Sequence, residues 1–276
     1  MKKGLVMALS LTLVLSFAAC GNNGTTDSSA SSEEVSSVAS ESKDDASVES
    51  TEEVSSETEN TDVAGETVMS YADYVAAELE SPVVIEAYVQ AHQFWWDNKI
   101  TVYAADEDGA YFIYNMTCSE EDSAKLVPGT KIKVTGYKTE WSGEVEIAEG
   151  ATFEIEDGSY IAEATDVTDL LGTDDLINYQ NQFVSFKGMT VEESEGGAAF
   201  LYNWDGSGSD SNSDLYFNVS LNGQTYTFTV ESYLCDNTTD VYKTVEGLKV
   251  GDVIDMEGFL YWYNGVNPHI TNVTVK

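Results

Sequence analysis

The chain has 276 residues, with 12 lysines, no arginine and 49 acidic residues, giving a formal net charge of -37 and a pI near 4.1. Without arginine it lacks the side chain most used for bidentate grip on phosphates and base edges, and its field repels polyanions at long range, so nucleic acid and anionic headgroups are set aside as partners. Apolar residues at 42% still suffice for a buried core.

Met1-Lys2-Lys3 is a short basic start, and Leu5 to Phe17 is an apolar run too short to span a bilayer permanently but suited to the core of an export signal. It ends in Phe17-Ala18-Ala19-Cys20. This resembles the lipobox of bacterial lipoproteins, with Phe17 where leucine is usual. The resemblance implies that residues 1–19 are a signal peptide removed on export, and that diacylglyceryl-Cys20, also carrying palmitate-like acyl chains, anchors the chain to the outer face of the cell membrane. Two or more acyl chains make such an anchor stable, at about 0.8 kcal/mol per buried methylene.

Residues 20–66 change composition abruptly: from Gly21 to Glu66 there are 12 serines and 13 acidic residues against the single cation Lys43, and no aromatic residue. Such a segment cannot bury enough apolar area to offset its conformational entropy, which predicts an extended, disordered stalk. Ser70-Tyr71-Ala72-Asp73 then reads as a helix start, with Tyr71, Tyr74, Val75 and Leu79 on one face and an end before Pro82. Strands are predicted over 83–90, 99–104, 110–116, 131–138 and 144–147, with a short helix capped by Ser119 over 119–127. Helical turns follow over 166–171 and 173–179.

An internal repeat organises the rest. Leu126, Gly129, Ile132, Gly136 and Gly143 recur as Leu248, Gly251, Ile254, Gly258 and Gly265 at a constant offset of 122, and Tyr137 and Trp141 recur as Phe259 and Tyr263. Val83, Ile85 and Ala87 match Val184, Phe186 and Gly188 at an offset of 101, so the second copy holds an insertion, assigned to 205–214 and to the hairpin at Asn222-Gly223. Three strands, a short helix and two strands, with Leu-x-x-Gly-x-x-Ile before the fourth strand, resemble the OB-fold, a five-stranded Greek-key barrel. The predicted fold class is all-β with short helices: two tandem OB-fold barrels after a disordered stalk. Residues 67–157 form a helix plus the first barrel, 158–182 a linker with helical turns, and 183–276 the second barrel. The whole chain resembles lipid-anchored OB-fold lipoproteins of Gram-positive, Clostridia-like bacteria.

OB-fold ligands lie across strands two and three, between the first-to-second and fourth-to-fifth strand loops. The resemblance thus nominates Phe94, Trp95, Trp96, Asn98 and Trp141 in the first barrel and Tyr261, Trp262 and Tyr263 in the second, with one of Trp95 and Trp96 or one side of the Tyr261–Tyr263 run expected to be structural. Flat aromatic faces beside polar atoms suit sugar rings. Asp205, Ser207, Ser209 and Asp210 place oxygen atoms as a calcium loop does, but the loop lacks the glycine and terminal acid of that motif, so a plain acidic hairpin is preferred. No cofactor motif, catalytic triad or metal-ligand spacing is present, and with 49 acidic residues a pair of carboxylates at any chosen separation carries no signal. Cys118 and Cys235, without Cys-x-x-Cys spacing, are expected to remain separate thiols rather than a bridge. The sequence predicts a non-enzymatic, surface-anchored module that binds an extracellular ligand, carbohydrate by preference. Assembly with another envelope protein is the alternative, and single-stranded nucleic-acid binding or an accessory role to an enzyme comes third.

Overall fold

The computed structural model of the chain describes residues 67–209 and 213–276. The expectations for the export signal, Cys20 and the stalk lie outside the described residues. Helix α1 (Tyr71–Ala76) begins as predicted: Ser70 Oγ accepts from the Asp73 amide at 3.2 Å, and the Asp73 carboxylate accepts from the Ser70 amide at 3.3 Å. The helix is shorter than predicted, and Val75 and Leu79 are exposed. Lys138 explains the early stop, because its buried ammonium donates to the carbonyls of Tyr74, Val75 and Ala77 at 2.9–3.0 Å and satisfies the helix end there.

The first barrel is built from β1 (Pro82–His92), β2 (Lys99–Ala105), β3 (Ala110–Thr117), β4 (Thr130–Trp141) and β5 (Glu144–Ile147). The neighbour order β1-β2-β3-β5-β4 closes by pairing β4 with β1. Helix α2 (Glu120–Ser123), capped by Ser119, sits between β3 and β4, and the fully buried Leu126 follows it into the core. An additional strand, β6 (Thr152–Ser159), extends the edge of β4. The sequence did not announce β6, since its apolar residues Phe153 and Ile155 stay partly exposed and charged residues alternate with them. Lys131, paired with Glu86 at 2.6 Å and Glu156 at 2.9 Å, ties β6 across β4 to β1.

The second barrel contains β7 (Thr165–Asp166), β8 (Phe183–Glu192), β9 (Leu201–Tyr202), β10 (Leu215–Leu221), β11 (Gln224–Val230), α3 (Asp240–Glu246), β12 (Val253–Phe259) and β13 (His269–Val275). Closure follows the same scheme, β8-β10-β11-β13-β12 and back to β8. The OB architecture is therefore present twice. Between the barrels, the predicted helical turns are 3₁₀ turns at Thr168–Leu170 and Asp174–Tyr179. Val167, Leu171 and Leu176 bury themselves in the second core, so this segment packs as part of that barrel.

Strand register explains the repeat. Val83 and Ile85 of β1 face Gly136 and Val134 of β4, and Val184 and Phe186 of β8 face Gly258 and Met256 of β12. The match ends at the third expected pair, because Gly188 adopts φ +65° in a bulge and Met189 takes the place opposite Ile254 that Ala87 holds opposite Ile132. The paired glycines of the fourth strands are needed for close approach. A Cβ at Gly136 would lie 2.6 Å from Ile147 Cγ2, and one at Gly258 would collide with the His269 carbonyl oxygen.

Cys118 and Cys235 are buried free thiols, one in each core. The barrels meet through Tyr103 and Phe112 of the first and Phe259 of the second, with the Tyr103 and Phe259 rings stacked at 4.3 Å. Polar contacts frame this seam. The Asn264 amide donates to the Ser142 carbonyl at 2.7 Å, and the Phe94 amide donates to the Tyr233 carbonyl at 2.9 Å.

Candidate functional site, an aromatic cleft at the barrel junction

The strand pair β2 and β3 of the first barrel forms the floor of a cleft of about 810 Å³. Phe94 and Trp96 enter from the β1–β2 loop, Tyr114 from β3, Trp141 from the end of β4, and Tyr233 and Tyr261 from the second barrel. Trp96 is 73% exposed, which leaves most of its ring open to solvent. The loop is built to present it: Asp97 and Asn98 adopt φ +48° and +59°, and Trp96 and Lys99 exchange two backbone hydrogen bonds at 2.9–3.0 Å across them. This is a two-residue hairpin turn with both central residues left-handed, a conformation that aspartate and asparagine tolerate better than other side chains.

The nominated residues separate into three groups. Phe94, Trp96, Trp141 and Tyr261 converge on the cleft. Tyr263 stands beside it, with its ring 5.1 Å from that of Trp141. Trp95, Asn98 and Trp262 do not join them. Trp95 packs against the first core and donates from Nε1 to the Cys118 carbonyl at 2.8 Å, so it is structural. Asn98 supplies the hairpin turn, and its carbonyl accepts from the Cys118 amide at 2.9 Å. Trp262 is half-buried against Gly143, and its amide donates to Glu144 at 2.8 Å. Within the Tyr261–Tyr263 run, Tyr261 packs half-buried against the Tyr103, Phe112 and Phe259 cluster and Tyr263 is exposed, while the fully buried position nearby is Leu260.

Sequence reasoning missed the polar half of the site. Glu146 of β5, Glu231 just after β11, and His269 at the start of β13 all line the cleft. Burial pushes the Glu146 carboxyl up to about 7, and burial together with the Asp214 charge pushes Glu231 up to about 8. Glu231 Oε1 accepts from Gln93 Nε2 at 2.7 Å, while its Oε2 has no hydrogen-bond partner. That Oε2 lies 3.5 Å from His269 Nδ1, yet burial pushes His269 down to about 3, so the imidazole is neutral and the approach is not an ion pair. The same Nδ1 is hydrogen-bonded to the Tyr103 hydroxyl at 2.8 Å, and the Tyr261 ring stacks on the imidazole at 4.4 Å. The cleft thus offers open aromatic faces and two carboxyls that titrate near neutrality. The one cation in it, Lys99, is held by Glu149 at 2.5 Å.

No family model and no curated protein matches the chain. Its likeness is to solved HIN domains. The p204 HINb domain matches 72% of this chain and 98% of its own at 12% identity, with a TM-score of 0.33. A murine DNA-binding protein bound with duplex DNA matches 71% of this chain and 96% of its own at 12% identity, with a TM-score of 0.35. The p202 HIN1 domain in complex with a 12-mer duplex DNA matches 72% of this chain and 92% of its own at 13% identity, with a TM-score of 0.31. At these values no residue role passes to this chain. One expectation is nonetheless corrected: chains solved with duplex DNA are among those it is similar to, and the exclusion of nucleic acid drawn from net charge is withdrawn.

The calcium candidate resolves differently. Asp205 Oδ1 accepts from the Ser207 amide at 3.0 Å, and the Ser209 amide donates to Ser213 Oγ at 3.0 Å, so these atoms hold the loop's own turns. Asp210 lies outside the described residues. Among the described residues no group of three or more His, Cys, Asp or Glu side chains is arranged to hold a metal ion.

Proposed function

We propose that this protein is a non-catalytic binding module of the bacterial cell surface, anchored by lipid on Cys20, that takes an extracellular carbohydrate in the cleft between its barrels. The observation that carries the reading is the convergence of Phe94, Trp96, Trp141 and Tyr261 on one cleft beside Glu146 and Glu231. A pyranose ring stacks its apolar C–H face on an aromatic ring, and its hydroxyls donate to carboxyl oxygens. Intrinsic tryptophan fluorescence during titration with a panel of soluble oligosaccharides tests this. Trp96→Ala and Trp141→Ala should each weaken binding about tenfold or more, whereas unchanged affinity in both variants would remove the cleft as the site.

A second reading takes the same aromatic surface as a stacking platform for unpaired bases, since stacking contributes about 1–3 kcal/mol per base whatever the sequence. Single-stranded oligonucleotides belong in the same panel, and their binding in place of sugars would select that reading. Lipidation has its own test: radiolabelled palmitate should enter the wild-type protein in a lipoprotein-processing host and fail to enter Cys20→Ser.

A further inference from the structure

A second hollow, of about 720 Å³, lies on the corresponding face of the second barrel. Its parts repeat those of the first cleft. Trp204 enters from the long loop between β8 and β10, Tyr216 and Asn218 rise from β10, Thr227 from β11, and Tyr263 and Asn267 come from the loop between β12 and β13. Trp204 is 75% exposed, beside 73% for Trp96, and these two are the most exposed large hydrophobic side chains among the described residues. Each sits on the loop joining the first two strands of its own barrel. The two hollows also touch: Trp141 lines the first, Tyr263 lines the second, and the rings of this repeat-related pair lie 5.1 Å apart at an interplanar angle of 32°.

We infer that the two faces form one track for a linear β-linked polysaccharide, with Trp96 and Trp204 as stacking platforms and the Trp141–Tyr263 pair as the bridge between them. This rests on the carbohydrate reading above and extends it from a single sugar site to a polymer. A β-linked chain presents an apolar C–H face on each ring and a hydroxyl edge between faces. The second hollow meets that edge with Glu195, Asn218, Thr227 and Asn267, as the first meets it with Thr101, Asn115 and the two carboxyls. Two sites in one folded unit, occupied by one chain, convert the second contact into an intramolecular event, and such linkage raises affinity by about 10²–10⁴.

The test uses chito-oligosaccharides from disaccharide to octasaccharide, titrated by calorimetry against the exported chain and its Trp204→Ala variant, with dT oligonucleotides of matched length as the other arm. Trp204 is exposed, so the variant should keep the wild-type melting temperature. The inference expects affinity to rise at least 100-fold from the shortest to the longest oligomer in the wild-type chain, and Trp204→Ala to remove that rise. Binding of short oligomers that is lost in Trp141→Ala, with no gain from length or no effect of Trp204→Ala, would overturn the track and leave the single-site reading standing. Absence of binding at every length would overturn both. Length-dependent binding of dT oligonucleotides alone would overturn the polysaccharide as occupant.

Discussion

The two barrels share a frame and differ in what they hang on it. Both close by pairing their first and fourth strands, both place a glycine of the fourth strand opposite a valine of the first, and both bury the leucine that precedes the fourth strand. They part at the loop after the first strand. In the first barrel residues 93–98 make a tight two-residue turn, while in the second the described residues 193–209 leave the barrel on a longer excursion with its own short strand β9. They part again after the fourth strand, where β5 carries Glu144 and Glu146, but the second barrel has Val266 and Pro268 at the repeat-related positions. Positions that set closure are thus kept between the copies, and positions that set the ligand faces and the seam diverge.

Gly258→Val should be the most damaging single change. The new Cβ meets backbone at the His269 oxygen and, at 2.7 Å, the Ile270 Cα, neither of which can swing aside, so loss of more than about 4 kcal/mol or failure to fold is expected in chemical denaturation. Gly136→Ala meets the side chains of Ile147 and Ala151 first, at 2.6 and 2.9 Å, with the Ala151 Cα at an ordinary 3.5 Å, and should cost about 1–3 kcal/mol. Equal losses at the two glycines would break the distinction between a backbone and a side-chain contact. Leu126→Ala and Leu248→Ala should each cost about 2–5 kcal/mol, with the larger value at the fully buried Leu126.

The buried carboxyls at the seam and in the cleft add a pH dependence. Glu144 is fully buried at the seam, with Oε2 accepting from the Trp262 amide at 2.8 Å and from Gln180 Nε2 at 3.2 Å while Oε1 has no partner. Burial pushes its carboxyl up to about 9, beside about 8 for Glu231 and about 7 for Glu146, from an ordinary value of 4.5. The folded state therefore holds protons that the unfolded chain releases above pH 4.5. Stability from these groups is complete below that pH and is lost as pH rises toward about 9. The melting temperature should fall between pH 5 and pH 9, and Glu144→Gln should flatten the decline. A melting temperature that rises over this range would contradict the buried carboxyls. The smallest expected effect is at the bridge: Tyr263→Ala removes one aromatic pair and should lower stability by about 0.5–1.5 kcal/mol in the same denaturation assay.

Much of the frame was legible because it is local or repeated. Ser70 with Asp73 and Ser119 with Asp122 announce helix starts, period-two runs mark β1 to β3, and the constant offset of Leu126, Gly129 and Gly136 from their second copies shows two barrels before any coordinates. Strand β6 was not legible, since a strand held at an edge by Lys131 needs no apolar side of its own. The aromatic half of the cleft was readable, as loop tryptophans have few other uses, although Trp95 and Trp96 could not be told apart until the hairpin turned one toward the core and the other to solvent. The polar half was hidden: Glu146, Glu231 and His269 are far apart in the chain and look like three among many polar residues.

The sequence by itself determined the all-β class, the duplication and the loops that carry the aromatic rings, because strand period, turn chemistry and close-packing glycines act over short stretches and leave a residue pattern. Only the tertiary structure decided that the two barrels meet through Tyr103 and Phe259, that the seam buries Glu144, and that the faces of both barrels join at Trp141 and Tyr263. The two ring contacts and the Trp262–Glu144 hydrogen bond pair residues more than a hundred positions apart, and only the packing of one barrel on the other brings them together.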